Sequence, residues 1–267
     1  MTAWQELGNG VFAKRYEFAD QQIGAIVGAY GVVLIDTRSS HRQAEEIRRD
    51  LEALTPFRVT TVINTHGHSD HCFSNHPFRP VPIWGHVRCV AMIERTGERQ
   101  RENLRQSIPE MADEFAEVVI DPPDHVFESE TVLDLGGRAV SLRHLGRGHT
   151  DNDIVVLVPD SGVLFAGDLI ENGAPPYFGD GYPMDWPATV ERLLEAAPPV
   201  VVPGHGAVAD REFIASQLGD LRAIATLGRR VHAGELDLEA AIELAPFPAA
   251  ASREAIQRAA DQLRGEF

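Results

Sequence analysis

The stretch Thr65-His66-Gly67-His68-Ser69-Asp70-His71 places three histidines and one aspartate within six consecutive positions. Imidazole and carboxylate groups are ligands that zinc and its first-row neighbours prefer. His66, His68 and Asp70 alternate, so an extended segment would point them in one direction and His71 in another. We therefore interpret the stretch as a segment that supplies ligands to two adjacent metal positions. The alternative is a polar loop that contains histidines by chance.

Three later segments each place a potential ligand directly after a predicted apolar strand. A strand over residues 59–63 likewise precedes the histidine cluster, and strand ends are where open α/β sheets carry their sites. Glycine flanks each later ligand, which permits a tight turn and a close backbone approach. These segments are Gly148-His149-Thr150-Asp151, Gly167-Asp168 and Pro203-Gly204-His205-Gly206. Their positions predict that His149, Asp168 and His205 join the cluster in one site.

The composition is that of an ordinary globular protein, and the partner that we expect is a small-molecule substrate. The chain has 267 residues, a hydrophobic content of 43% and a formal net charge of −16, which is compatible with a sizeable core. Lys14 is the only lysine, and no basic run could follow a phosphate backbone or an anionic membrane surface. Residues 1–6 lack the features of a signal peptide, and Cys72 and Cys89 do not make a disulfide framework. We therefore expect a cytoplasmic protein without a nucleic-acid or membrane partner.

The pattern of apolar residues predicts alternating groups of strands and helices. Predicted strands cover residues 23–27, 32–35, 59–63, 132–135, 139–145, 154–158, 163–166 and 200–202. One helix is predicted from the cap Ser40 to Pro56 and another after Asp185, and most of 86–118 and of the chain from 210 onward is helical in pattern. The stretch 86–118 could be a solvated helix or a cover over the site. This order is consistent with two sheets between helical layers.

The combination of these segments resembles the metallo-β-lactamase-fold hydrolase superfamily, from about Ile23 to Gly206. The resemblance implies an α/β fold, an αββα sandwich of two mixed β-sheets between helical layers. It implies a catalytic domain over residues 1–209 and a C-terminal helical extension over 210–267, packed on the same domain. It also implies a first metal site of His66, His68 and His149, a second metal site of Asp70, His71 and His205, and a carboxylate bridging the two, Asp168.

Two residues near these ligands each have two possible roles. Asp36 matches a position that family members use to support a metal ligand, and it is equally suited to the turn at a strand end. Cys72 could be a further ligand beside His71, but single cysteines near sites are more often small packing residues.

The ligand set predicts a metal-dependent hydrolase. Two divalent ions held close together lower the pKa of a water between them, and the resulting hydroxide attacks a carbonyl that the ions polarise. Asp70 is the expected catalytic group, which orients the water or transfers its proton. Zinc fits the donors, and iron or manganese is compatible with them. The expected reaction is hydrolysis of an ester, thioester, lactone or amide.

The residues after Asp168 bear on the branch of the superfamily. A bridging aspartate is typical of the glyoxalase II-like and lactonase-like branches, whereas β-lactam-hydrolysing members usually lack it. Lactonase-like members carry a tyrosine where this chain has Glu171, although Tyr177 could substitute. The loop over 169–203 is acidic and aromatic, which favours a neutral or cationic substrate. Its candidate substrate contacts are Asn172, Tyr177 and Tyr182, and the alternative is that the aromatic residues only pack the loop.

Three other functions are compatible with the same motifs. One is a mononuclear iron oxidoreductase of the persulfide dioxygenase kind, in which two histidines and the aspartate hold one iron. Another is a β-lactam-hydrolysing enzyme. The third is a non-catalytic metal-binding or sensor protein on the same scaffold. Iron content with oxygen uptake would separate the oxidoreductase from a hydrolase, and the sequence specifies no oligomeric state.

Overall fold

Twelve β-strands form the centre of the protein in the computed structural model, which describes residues 3–266. They are β1 (Gln5–Gly8), β2 (Val11–Tyr16), β3 (Gln21–Val27), β4 (Val32–Ile35), β5 (Val59–Ile63), β6 (Ile83–His86), β7 (His125–Phe127), β8 (Glu130–Asp134), β9 (Ala139–Arg143), β10 (Val155–Val158), β11 (Val163–Asn172) and β12 (Val200–Gly206). Hydrogen bonds connect them in the order β7-β6-β5-β4-β3-β12-β11-β10-β9-β8, and β1 and β2 pair beside β3. Every predicted strand is present, whereas β1, β2, β6 and β7 were not predicted.

The path of strands divides into two halves that pack face to face. β3 and β12 meet at one residue pair, Gln21 with His205. An apolar cluster takes side chains from both halves, among them Ile26 of β3, Val156 of β10 and Phe165 of β11. Since both halves contribute to one buried cluster, they form two facing layers, as in a sandwich.

The described residues form eight α-helices, and several of these cover the outer faces of the layers. They are α1 (His41–Leu54), α2 (Ser69–Cys72), α3 (Val87–Ser107), α4 (Ala112–Ala116), α5 (Trp186–Ala196), α6 (Arg211–His232), α7 (Leu238–Glu243) and α8 (Ala249–Arg264). One outer apolar cluster joins α1 to β3, β4 and β5, and another joins α5, α6 and α8 to β11 and β12. This layering confirms the predicted αββα sandwich with helices at its C-terminal end.

The first helix shows how the local sequence produces this packing. The Ser40 side chain accepts a hydrogen bond from the backbone N–H of Gln43, with 3.3 Å between the two atoms, which caps the first turn. Ala44, Ile47 and Leu51 recur at helical spacing and are buried. α1 therefore begins at its predicted cap and presents one apolar face to the sheet.

Two strands extend further than the apolar pattern predicts. The prediction ended strands before Asp168 and before His205, whereas β11 and β12 continue past both residues. Placing these two ligands after their strands was therefore wrong. The pairing of β11 with β12 is irregular around Gly167, whose φ of +53° is readily adopted only by glycine. This irregularity lets a strand continue while its polar side chains face the site.

The division of the chain at residue 209 stays a prediction. α6 and α8, which lie beyond it, share their apolar cluster with β11 and α5. The ends of the two predicted units, Met1, Thr2 and Phe267, lie outside the described residues. From residue 3 to residue 266, no helix is both long and apolar enough to cross a bilayer.

Replacing Gly24 with alanine tests the contact between the two layers. A Cβ at Gly24 of β3 would overlap the ring of Phe165 of β11, which is buried. Overpacking of this kind costs about 1–3 kcal/mol, so we expect Gly24→Ala to lower the free energy of unfolding in urea by that amount. Gly219→Ala is the control, because Gly219 is exposed in α6 with open space around its Cβ position. A Gly24→Ala protein as stable as the wild type would contradict this packing.

Candidate metal centre

The histidine cluster is held in place by buried polar contacts behind β5. Asp36 accepts hydrogen bonds from the backbone N–H and the hydroxyl of Thr65, both at 2.8 Å. The side chain of Asn64 donates to the carbonyl of His71 at 3.0 Å. β5 ends at Ile63, the chain bends over residues 65–67, and the short helix α2 begins after His68. Asp70 therefore does not alternate with His66 and His68, as its spacing predicted, but lies beside His71.

The first group of donors contains three imidazole nitrogens that face one another. His68 Nδ1 lies 3.1 Å from His66 Nε2 and 2.7 Å from His149 Nε2. Asp168 Oδ2 lies 3.7 Å from His66 Nε2 and 3.4 Å from His149 Nε2. Zinc–nitrogen bonds of about 2.0–2.1 Å in a tetrahedron place neighbouring nitrogens roughly 3.3 Å apart. The spacing of this group could therefore hold one metal ion.

The second group of donors lies on the other side of Asp168. His71 Nε2 and His205 Nε2 are 3.2 Å apart. Asp70 Oδ2 lies 3.6 Å from the first of these nitrogens and 3.3 Å from the second. Asp168 approaches both rings at 3.2 Å, His71 through Oδ1 and His205 through Oδ2. The structure thus brings together all seven side chains that the sequence analysis singled out as ligands, in two groups that meet at Asp168.

The outer nitrogen of each imidazole has its own polar neighbour. Such contacts fix the orientation and the tautomer of metal-binding histidines. The outer nitrogen of His71 lies 2.8 Å from Asp36 Oδ2, which is the support that the resemblance implies for Asp36. The other four contacts are His66 with Thr65 Oγ1 at 3.1 Å, His68 with Asp180 at 3.1 Å, His149 with the carbonyl of Tyr177 at 3.2 Å, and His205 with the carbonyl of Ala19 at 2.7 Å.

The carboxylate of Asp168 provides an independent test of whether these residues fit metal ions. Asp168 is buried, and its Oδ1, although 3.2 Å from His71 Nε2, makes no hydrogen bond with the described residues. A buried acceptor without a partner is costly, because it has lost its contact with water. A Cβ on Gly204 would overlap the same oxygen, so a glycine leaves the space that this carboxylate occupies. A cation at this position would satisfy the oxygen, so the donor set fits divalent metal ions.

The pKa values of two imidazoles in the first group and of one in the second are consistent with this fit. Burial lowers the pKa of His66 well below its ordinary value and lowers the pKa of His149 to about 4. Both rings are therefore neutral and offer a lone pair. Burial also opposes the charged form of His71, but the carboxylates of Asp168, Asp70 and Asp36 outweigh it and raise its pKa. The second group thus needs positive charge beside its carboxylates, and a divalent ion supplies that charge.

A cavity of about 600 Å³ opens onto both groups of donors. Tyr177 lines it, as predicted for a substrate contact, and so does the buried carboxyl of Glu171. Asn172 and Tyr182 do not line it. The Asn172 side chain donates to the carbonyl of Ala207 at 3.0 Å, and the guanidinium of Arg147 lies over the ring of Tyr182. The structure therefore supports only Tyr177 among the three candidate substrate contacts.

The aromatic residues that follow Tyr177 mostly have a packing role. Phe178 and Trp186 are fully buried in the apolar cluster of α5, α6 and α8, which agrees with the packing alternative. Cys72 is also buried in an apolar cluster, and its thiol donates to the carbonyl of His68 at 3.1 Å. It belongs to neither donor group.

Sequence reasoning did not assign a role to Asp180 or to the helix that holds its loop. Both oxygens of Asp180 lie 3.1 Å from His68 Nε2. The loop after Asp180 is tied to α8, where Arg258 donates to the carbonyl of Gly181 at 2.9 Å and Gln262 accepts from the N–H of Met184 at 2.9 Å. An acidic residue in a loop carries no local signal of such a contact, because its partner is distant in sequence.

Known proteins with similar sequences or structures include several named enzymes. "Metallo-beta-lactamase type 2" of Bacillus cereus is 28% identical over 197 residues, which cover 72% of this chain and 69% of that protein. The acyl-coenzyme A thioesterase MBLAC2 of Bos taurus is 27% identical over 229 residues, which cover 76% of this chain and 80% of that protein. The solved structure of a metallo-beta-lactamase from Pontibacter korlensis superposes with a TM-score of 0.68 and 21% identity, over 83% of this chain and 99% of that chain.

The Pontibacter korlensis structure has the same fold as this chain. The family of this chain follows from the sequence of this chain. The family model described as "Metallo-beta-lactamase superfamily" matches residues 20–205. This range begins just before β3 and ends at His205, so it includes all seven donors of the two groups. The chain belongs to the metallo-β-lactamase superfamily.

Proposed function

We propose that this protein is a hydrolase that holds two divalent metal ions, with zinc as the first candidate and iron or manganese as alternatives. The observation that carries the proposal is the position of Asp168, whose carboxylate lies between two groups of donors and has one buried oxygen without a hydrogen-bond partner among residues 3–266. His66, His68 and His149 would hold one ion, and Asp70, His71 and His205 the other. Asp168 would bind both ions.

The ions, when bound, would supply Lewis acidity, which activates a water and polarises a substrate carbonyl. The protein's own residues position the reacting groups. Asp70 lines the cavity with its carboxylate beside His71 and His205, so it can orient the attacking water and accept its proton. The five imidazoles are held by their outer contacts, which keeps the donors in place as the charge on the substrate changes.

The substrate class that we propose is a small organic ester, thioester, lactone or amide. The similarity to a protein named as a thioesterase supports an acyl substrate. Hydrolysis of β-lactams is a second candidate, because the Bacillus cereus relative is named as a metallo-beta-lactamase. Asp168 favours the first candidate, since β-lactam-hydrolysing members usually lack a bridging aspartate. The expectation of a small-molecule partner, without nucleic acid or membrane, stays a prediction.

Replacement of a first-group histidine tests the proposal directly. We expect His66→Ala to bind less metal and to lose hydrolytic activity by about a hundredfold or more, because an ion that activates water would be lost or misplaced. Metal content per chain and turnover of ester, lactone, thioester and β-lactam substrates measure this. His232→Ala is the control, because His232 is exposed at the end of α6.

Three outcomes of this experiment would contradict the proposal. Near-wild-type hydrolysis by metal-replete His66→Ala protein would show that the first group is not needed. Full activity of the wild-type protein after thorough chelation would exclude metal ions from the reaction. One iron per chain together with oxygen uptake would favour the persulfide dioxygenase alternative.

Replacement of Asp180 tests whether its contact with His68 matters for metal binding. An asparagine would have no charge with which to stabilise the His68 ring, and such contacts typically change metal affinity by 10–100-fold. We expect Asp180→Asn to weaken binding of one of two zinc ions about tenfold in competition with a coloured chelator. Asp160→Asn is the control, since Asp160 is an exposed partner of Arg138 remote from the donors. Unchanged affinity in Asp180→Asn would show that the contact has no role in binding.

A further inference from the structure

The helix α3 forms one wall of the cavity above the two donor groups. The cavity is lined by one face of this helix, made of Thr96, Arg99, Gln100, Asn103, Leu104 and Ser107. These residues recur three or four positions apart, which places them on the same side of a helix. The sequence left open whether 86–118 is a solvated helix or a cover over the site. The structure supports the second interpretation for this part of α3.

One polar residue on this face, Gln100, contacts the histidine cluster directly. Gln100 accepts a hydrogen bond from the N–H of Ser69 at 2.8 Å and donates to the carbonyl of Gly67 at 3.1 Å. It also donates to the hydroxyl of Thr96 at 2.9 Å. The hydrogen-bonding groups of Thr96 and Gln100 are thus used within the protein, and α3 is fixed relative to the donors.

Arg99 and Asn103 are different, because neither side chain has a polar partner within residues 3–266. Arg101 and Arg105 of the same helix are engaged, and Arg95, which has no partner within these residues either, does not line the cavity. Arg101 pairs with Glu98 and also donates to the carbonyl of Val118, and Arg105 pairs with Glu102. Arg99 and Asn103 are one helical turn apart and both line the cavity, so a guanidinium and an amide are available on the same wall.

The acidic side chains that line the cavity all have polar partners. Asp20 accepts from Arg15 at 2.7 Å, Asp180 contacts His68, and Glu171 accepts from the N–H of Tyr177 at 3.0 Å. Asp70 and Asp168 face the imidazoles of the donor groups. Within the described chain, Arg99 is the single arginine or lysine that lines this cavity, and its solvent-exposed guanidinium has no ion-pair partner among these residues.

We propose that Arg99, assisted by Asn103, binds a carboxylate of the substrate, so that the enzyme acts on acyl compounds that carry a negative charge away from the bond that is cleaved. Guanidinium and carboxylate groups match in geometry, and Asn103 can donate a further hydrogen bond. This inference rests on the proposed hydrolase function. It reverses the expectation of a neutral or cationic substrate. That expectation followed from the acidic loop over 169–203, whereas Arg99 lies on the wall formed by α3.

The test compares two esters of similar size that differ in charge, para-nitrophenyl hemisuccinate and para-nitrophenyl butyrate. We expect Arg99→Gln to raise KM for the hemisuccinate about fivefold, the effect of a partly exposed ion pair, and to leave KM for the butyrate unchanged. Arg99→Glu has a larger effect in the same direction, and high salt reduces both effects. Asn103→Ala has a smaller, charge-selective effect. Arg105→Gln is the matched control. This substitution removes the same charge from the same helix, but Arg105 does not line the cavity.

The outcomes separate this inference from the proposed function. Equal changes of KM for both esters, or no change for either, would overturn the role of Arg99 while leaving metal-dependent hydrolysis intact. Absence of turnover of every ester by the wild-type protein would count against the proposed function instead. In that case, titration calorimetry with the non-hydrolysable ether para-nitrophenoxybutanoate still tests the inference. Equal affinity of the wild type and Arg99→Gln for this ether would overturn it.

Discussion

The rest of the structure depends on the contact between the buried carboxylate of Asp168 and the two groups of imidazoles around it. A carboxylate taken out of water is stable only if positive charge or hydrogen-bond donors surround it. Burial alone raises the pKa of Asp168, but His205, His71, His66 and His149 outweigh this effect and lower it well below its ordinary value. The neighbouring strand β12 leaves space for this carboxylate, because a side chain at Gly204 would overlap it.

The imidazoles around Asp168 come from both layers of the sandwich, and their outer contacts do as well. His71 is oriented by Asp36 at the end of β4 in the N-terminal half, whereas His149 and His205 come from the C-terminal half. β3 and β12 meet beside the site through Gln21 and His205. The packing of the two layers therefore determines the distances within the donor groups, so that the stability of the fold and the geometry of the site have the same origin.

Much of this site could be predicted from local sequence, because each donor lies in a short motif that contains glycine and is part of an apolar strand or follows one. All seven donors come together, and Asp36 contacts one of them. The grouping of Asp70 could not be predicted from its spacing, since α2 replaces the extended chain with a helical turn. Asp180 and Arg99 were missed as site residues for a different reason. Their positions beside the donors depend on the tertiary packing of segments that are distant in sequence, and hydrophobic periodicity describes only local structure.

The hydrogen bonds between α8 and the loop after β11 extend the metal centre beyond its donors. Arg258 and Gln262 hold the segment that carries Asp180, and Asp180 in turn contacts His68. Any shift of the C-terminal helices against the sandwich is thus transmitted to an imidazole ring through a few polar contacts. If the donors hold metal ions as proposed, substitutions in these helices would change the affinity for metal while all seven donor side chains are retained.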